Sequence, residues 1–125
     1  MENTSLLSCL EKRDLLNQPA ASVDTLMEWG DRYLEAGFVH DAVDFYEKAG
    51  AKEALTRLLE MAKDDGDVFL LRRLCSLLER EPTSEEWLTV AEQAERLGKD
   101  HFAWKGYQSA GVQDRSDAVR ERIPN

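Results

Sequence analysis

Residues 29–50 read WGDRYLEAGFVHDAVDFYEKAG, and residues 90–111 read VAEQAERLGKDHFAWKGYQSAG. Laid over each other at an offset of 98 − 37 = 61, they share Gly37/Gly98, His40/His101, Ala42/Ala103, Tyr46/Tyr107, Ala49/Ala110 and Gly50/Gly111. Each stretch is a helix-forming run, a glycine stop, a second amphipathic run and a second glycine stop. A third inter-helix glycine, Gly66, lies between them, at spacings of 66 − 37 = 29 and 98 − 66 = 32. A period near thirty residues with one helix–turn–helix in each unit is the mark of a helical repeat array.

Working outward, almost every segment reads as helix, because no stretch alternates apolar and polar residues for long and Gly and Pro fall where helices should stop. A first helix spans roughly Ser5 to Asn17 with Leu6, Leu7, Leu10, Leu15 and Leu16, and Pro19 ends it. Ser22 or Asp24 caps the next, which runs to about Ala36 with Leu26, Trp29, Tyr33 and Leu34. Gly37 breaks the chain before a short helix that stops at Gly50. Helices over Ala51–Lys63 and Asp67–Arg80 follow. The second is apolar over a wide arc, as a helix packed on two sides should be. Beyond Pro82, Thr83 and Glu86 form a capping box that starts a helix at Trp87, and Gly98 and Gly111 punctuate the last three helices. The layout is about eight short helices in stacked antiparallel pairs.

Leu26-x2-Trp29-Gly30-x2-Tyr33 leads to Gly37, Ala42, Tyr46 and Ala49, and Trp87-x2-Val90-Ala91-x2-Ala94 leads to Gly98, Ala103, Tyr107 and Ala110. In these residues the chain resembles the tetratricopeptide repeat family, over about Ser22 to Ile123. The middle unit matches less well, with Leu71, Cys75 and Leu78 where the family has Ala, an aromatic and Ala. The period is also shorter than the family's 34, and Gly50 and Gly111 stand near where it often has Pro. The resemblance implies an all-α fold, a short right-handed α-α superhelix or solenoid of about three helix–turn–helix repeats with flanking capping helices. Its parts are residues 1–18 as an N-terminal helix and linker, 22–50, 51–81 and 84–111 as repeats, and 112–125 as a capping helix, in one domain.

The totals narrow the function. A chain of 125 residues that is 42% apolar has enough material for one core. A formal charge of −9 without a basic stripe argues against nucleic acid and anionic membrane as partners. The N-terminal stretch lacks the basic and apolar regions of a secretory signal, and no segment approaches the roughly 20 apolar residues of a membrane span. Cys9 and Cys75 have no CxxC partner and read as free thiols of a cytoplasmic protein.

Catalytic chemistry has no support in the residues. His40 and His101 occupy equivalent repeat positions with no further ligand at metal-binding spacing. Asp64-Asp65-Gly66-Asp67 fails as a calcium loop because Met61, Lys63 and Arg72 stand where acids are needed, so Asp67 reads as a helix cap. No phosphate-binding glycine loop, nucleophile elbow or HExxH occurs. The expectation is a non-enzymatic module without metal or cofactor, a monomer or weak homo-oligomer, that binds a protein or peptide. The alternatives are a self-associating structural protein and a helical enzyme of unrecognised type. By the resemblance, first helices line the inner surface. The expected partner-binding residues are then Met27, Asp31 and Leu34 in the first unit, Glu60 with Thr56 and Lys63 in the second, and Leu88, Glu92 and Glu95 in the third. The family's clamp for acidic peptide tails needs cations at such places. Here Met27 and Asp31 stand instead, so the face suits a basic or amphipathic peptide.

Overall fold

A computed structural model describes residues 5–124. These residues form eight helices and no strand: α1 Cys9–Leu16, α2 Val23–Glu35, α3 Val39–Ala49, α4 Lys52–Asp64, α5 Val68–Leu77, α6 Ser84–Arg96, α7 Asp100–Ala110 and α8 Gln113–Arg122. None is long and apolar enough to cross a membrane. The all-helical expectation holds, with corrections at four helix ends.

α1 is shorter than its leucines suggest. Ser8 Oγ accepts from the Glu11 N–H (3.1 Å) and the Glu11 carboxylate accepts from the Ser8 N–H (2.9 Å), so a capping box sets the start at Cys9. Ser22, rather than Asp24, caps α2, its hydroxyl accepting from the Thr25 N–H at 3.0 Å. α6 begins three residues before Trp87, because the Thr83–Glu86 capping box places the N-cap at Thr83. α5 opens on Asp67, whose carboxylate accepts from the Leu70 N–H, and stops at Leu77 rather than Arg80. It stops early because Glu79 adopts a left-handed backbone, φ 61°.

That residue belongs to a pattern. After α2, α4 and α6, the N–H groups of Phe38, Asp67 and Lys99 turn back to the carbonyls of Tyr33, Ala62 and Ala94 at 2.9, 2.9 and 2.8 Å. After α3, α5 and α7, those of Ala51, Arg80 and Val112 turn back to Tyr46, Cys75 and Tyr107 at 3.0, 2.9 and 3.0 Å. Each is the six-to-one closure of a Schellman corner, which requires a left-handed residue just before the donor. Gly37, Gly66 and Gly98 supply it in the first set, and Gly50, Glu79 and Gly111 in the second. The second set repeats the spacings of the first, 79 − 50 = 29 and 111 − 79 = 32.

The chain divides into two compact units, one reaching Leu55 and the other beginning at Thr56, so that α4 contributes to both. In the first, α3 packs on α2 and α1. Tyr33 stacks on Phe45 (5.3 Å between ring centres), and Leu26, Ala42, Val43 and Tyr46 are buried around them. The two helices meet so closely at Gly30 that an added Cβ would lie 2.6 Å from the Tyr46 ring. α1 is tied on by polar contacts. Lys12 Nζ reaches Asp41 at 2.6 Å and Asp44 at 2.7 Å, and Tyr33 donates to the Leu7 carbonyl at 3.2 Å. Leu6 and Leu7 are half-buried, whereas Leu10 is 62% exposed.

In the second unit, α7 packs on α5, α6 and α8, and α5 also meets α6. That two-sided packing accounts for the wide apolar arc of α5, where Val68, Leu70, Leu71, Leu74 and Cys75 are all buried. Gly106 of α7 admits Ala91 of α6, and the corner at Gly66 rests on the backbone of Ala94. Ala91, Ala94, Ala103, Tyr107 and Val119 form one buried cluster. Trp104 packs against this cluster from its edge, and none of Trp29, Trp87 and Trp104 is fully buried. Each is half-buried beside a cation: Arg32 over Trp29 at 4.7 Å, Arg72 over Trp87 at 5.6 Å, and Lys105 and Arg120 over Trp104 at 4.8 and 5.3 Å.

Candidate interaction surfaces

The residues expected to bind a partner fall in both units, and each unit's set has its own setting. In the first, Met27 and Leu34 are half-buried on α2 and Asp31 is exposed. The Asp31 carboxylate accepts a 2.5 Å hydrogen bond from the Tyr46 hydroxyl. One of its oxygens is therefore used in joining α2 to α3.

In the second unit, Glu60 is exposed at the edge of a charged network. Lys63 Nζ lies 3.0 Å from Glu60 and 3.0 Å from Glu86, and Arg80 clasps Glu86 with two hydrogen bonds of 2.8 and 2.9 Å. The paired Arg80 bonds, joined by the Thr83 N–H and Lys63, outweigh burial and hold the Glu86 carboxyl well below the usual carboxylate range. Burial opposes the Lys63 ammonium, but the hydrogen bonds it donates to Glu60 and Glu86 prevail and raise its pKa.

Farther along α6, Leu88, Glu92 and Glu95 are all half-buried. Arg115 of α8 reaches Glu92 at 3.0 Å and Glu95 at 3.9 Å, and Arg122 reaches Glu95 at 2.8 Å and Asp100 at 3.7 Å. Contacts advance along α6 as they advance along α8, so the two helices run in the same direction. Tyr107 donates to Glu95 at 2.6 Å, and the Arg115 guanidinium lies over its ring at 4.5 Å. The Tyr107 and Arg122 hydrogen bonds depress the Glu95 pKa. Burial, reinforced by the bond to Glu95, pushes the Tyr107 hydroxyl up to about 12.

Between α4 and α6 the same unit has an open cleft of about 350 Å³ lined by Lys63, Asp64, Thr89, Glu92, Gln93 and Arg96. It is a trough bordered by α4 and α6, its lining carrying two carboxylates, Asp64 and Glu92, and two cations, Lys63 and Arg96. His40 and His101 are exposed in the first turns of α3 and α7. Cys9 is exposed, Cys75 is buried, and both are free thiols.

Sequence reasoning missed the arginines of α8. It treated residues 112–125 as a cover for apolar surface, yet their most extensive polar contacts are with α6. The signal was present: Arg115 and Arg122 lie seven residues apart beside the stripe of Val112, Ser116, Val119 and Ile123, two helical turns on one face. Compared with known proteins, the chain has no significant match among family models, curated proteins or solved structures.

Proposed function

We propose that this chain is a non-enzymatic interaction module, a short tetratricopeptide-like solenoid that binds a basic or amphipathic segment of a protein partner along its first-helix surface. The six Schellman corners at matching spacings support the repeat architecture. In the second unit the surface is the α4–α6 cleft and the acidic face of α6 beside it. The observation that carries the choice of ligand is chemical. Glu92 and Glu95 already hold two arginine side chains, at 3.0 and 2.8 Å, and one of them, Arg115, lies over an aromatic ring. Carboxylates placed to receive guanidinium groups with a ring beneath them select arginine over lysine.

The test begins with affinity capture on the full chain. The recovered partner's affinity is then compared for wild type and for Asp64→Lys with Thr89→Arg. Both positions are exposed and line the cleft. Binding about tenfold weaker, with a flatter salt dependence, is expected. Unchanged affinity would move the site to another face. A second reading, self-association through α1, is favoured by the exposure of Leu10, and light scattering across concentration separates it from a monomeric adaptor.

A further inference from the structure

α8 is an unusual helix for a packed unit. From Gln113 to Pro124 its fully buried residues are Ser116, Val119 and Ile123, and every other side chain is exposed. Among the described residues, Ser116 Oγ is fully buried and meets no hydrogen-bond partner, which opposes docking because a desolvated hydroxyl is left unpaired. The N-cap, Val112, gives the helix no side-chain cap. What holds α8 in place is therefore a narrow apolar stripe, the Arg120 guanidinium over the Trp104 ring, and the ion pairs of Arg115 and Arg122. Their side chains are 46% and 47% exposed, and the Glu92 and Glu95 side chains they meet are 43% and 32% exposed. Contacts this open to water weaken as salt rises.

We infer that α8 is a releasable strap that occupies the acidic face of α6 in place of a partner helix. Its two arginines stand where the arginines of that partner would bind. The partner it fits is an amphipathic helix with arginines two turns apart, flanking a stripe of small and branched apolar residues. Release of α8 uncovers Glu92, Glu95 and the Tyr107 ring together, so the carboxylates and the aromatic face become available at once. The identity of the partner helix rests on the proposed function above, whereas the release of α8 does not.

Backbone hydrogen exchange on the full chain tests the release. Raising sodium chloride from about 0.05 to about 0.5 M should speed exchange at Val119 and its neighbours in α8 about tenfold, leaving Ala94 and Ala103 unchanged. Ser116→Ala should slow α8 exchange severalfold, since it removes the unpaired hydroxyl, and Arg115→Glu with Arg122→Glu should make it fast at every salt concentration. Exchange of α8 in step with α7 in all these proteins would overturn the strap. A peptide of residues 112–124 then probes the vacated face. It should bind the Arg115→Glu, Arg122→Glu chain at least about tenfold more tightly than wild type. Release of α8 without such binding would overturn the assignment of that face to an arginine-bearing helix and leave the strap standing.

Discussion

Glu79 holds a left-handed backbone, φ 61°, at a corner whose counterparts at the same position are Gly50 and Gly111. A side chain in that conformation is disfavoured because Cβ crowds the following carbonyl, by roughly 1–2 kcal/mol. Glu79→Gly should therefore stabilise the second unit by about 0.5–1 kcal/mol, after allowing for the greater freedom glycine has in the unfolded chain. A higher urea midpoint with unchanged slope is the expected readout, and a lower midpoint would mean that the Glu79 side chain contributes more than its backbone costs. Because the corner is not a glycine, the sequence disguised it. The rule that finds a stop at Gly50 and Gly111 passes over Glu79 and places the end of the helix at Arg80, three residues late. Glu86 shows a second effect at this scale. Its folded pKa lies below its unfolded value, so the stabilisation is complete above the unfolded carboxylate pKa near 4.3 and is lost as pH falls through the folded one. Glu86→Gln should cost about 1.5–3 kcal/mol at pH 7 and make the loss of stability below about pH 4.5 shallower. Glu95, whose pKa is shifted in the same direction, keeps some acid sensitivity in that variant. An acid limb identical to that of wild type would show that Glu86 carries none of it.

The helices were legible where small residues and glycines carry the geometry. α2–α3 and α6–α7 are written with the same six residues at an offset of 61, and Ala42 and Ala103 are both completely buried. Leucine at either position should overpack its helix pair and cost about 1–3 kcal/mol. Thermal melting checks this, and unchanged midpoints for both variants would count against the shared packing. Within that likeness the two pairs solve the close approach differently. Gly30 of α2 makes room for the Tyr46 ring, whereas Gly106 of α7 makes room for Ala91. Sequence spacing could show that both pairs are close but not which helix would give way, because that depends on which side chain turns into the gap. The acidic face was legible only in part. Glu92 and Glu95 were identified as surface carboxylates, but their partners lie on α8, 20 or more residues farther along the chain. Nothing local links them, and the pairing follows from α8 packing on α7 and running parallel to α6.

At the scale of the whole molecule, the formal charge of −9 agrees with the proposed basic or amphipathic partner without giving its place. In the second compact unit the proposed repeat supplies the place, since repeats that stack on their neighbours leave equivalent helices on a shared side. The contact that embodies such stacking is the corner at Gly66, where an added Cβ would lie 2.6 Å from both the Cα and the backbone nitrogen of Ala94. Gly66 closes α4 and Ala94 belongs to α6, so this contact seats the end of one first helix on the next. The measurement that tests it most directly is a nuclear Overhauser spectrum of the full chain with Gly66 and Ala94 assigned. Strong cross-peaks from the Gly66 α-protons to the Ala94 α-proton and methyl group are expected. Their absence, with both residues otherwise well resolved, would contradict the stacked repeat and with it the surface on which the proposed partner binds.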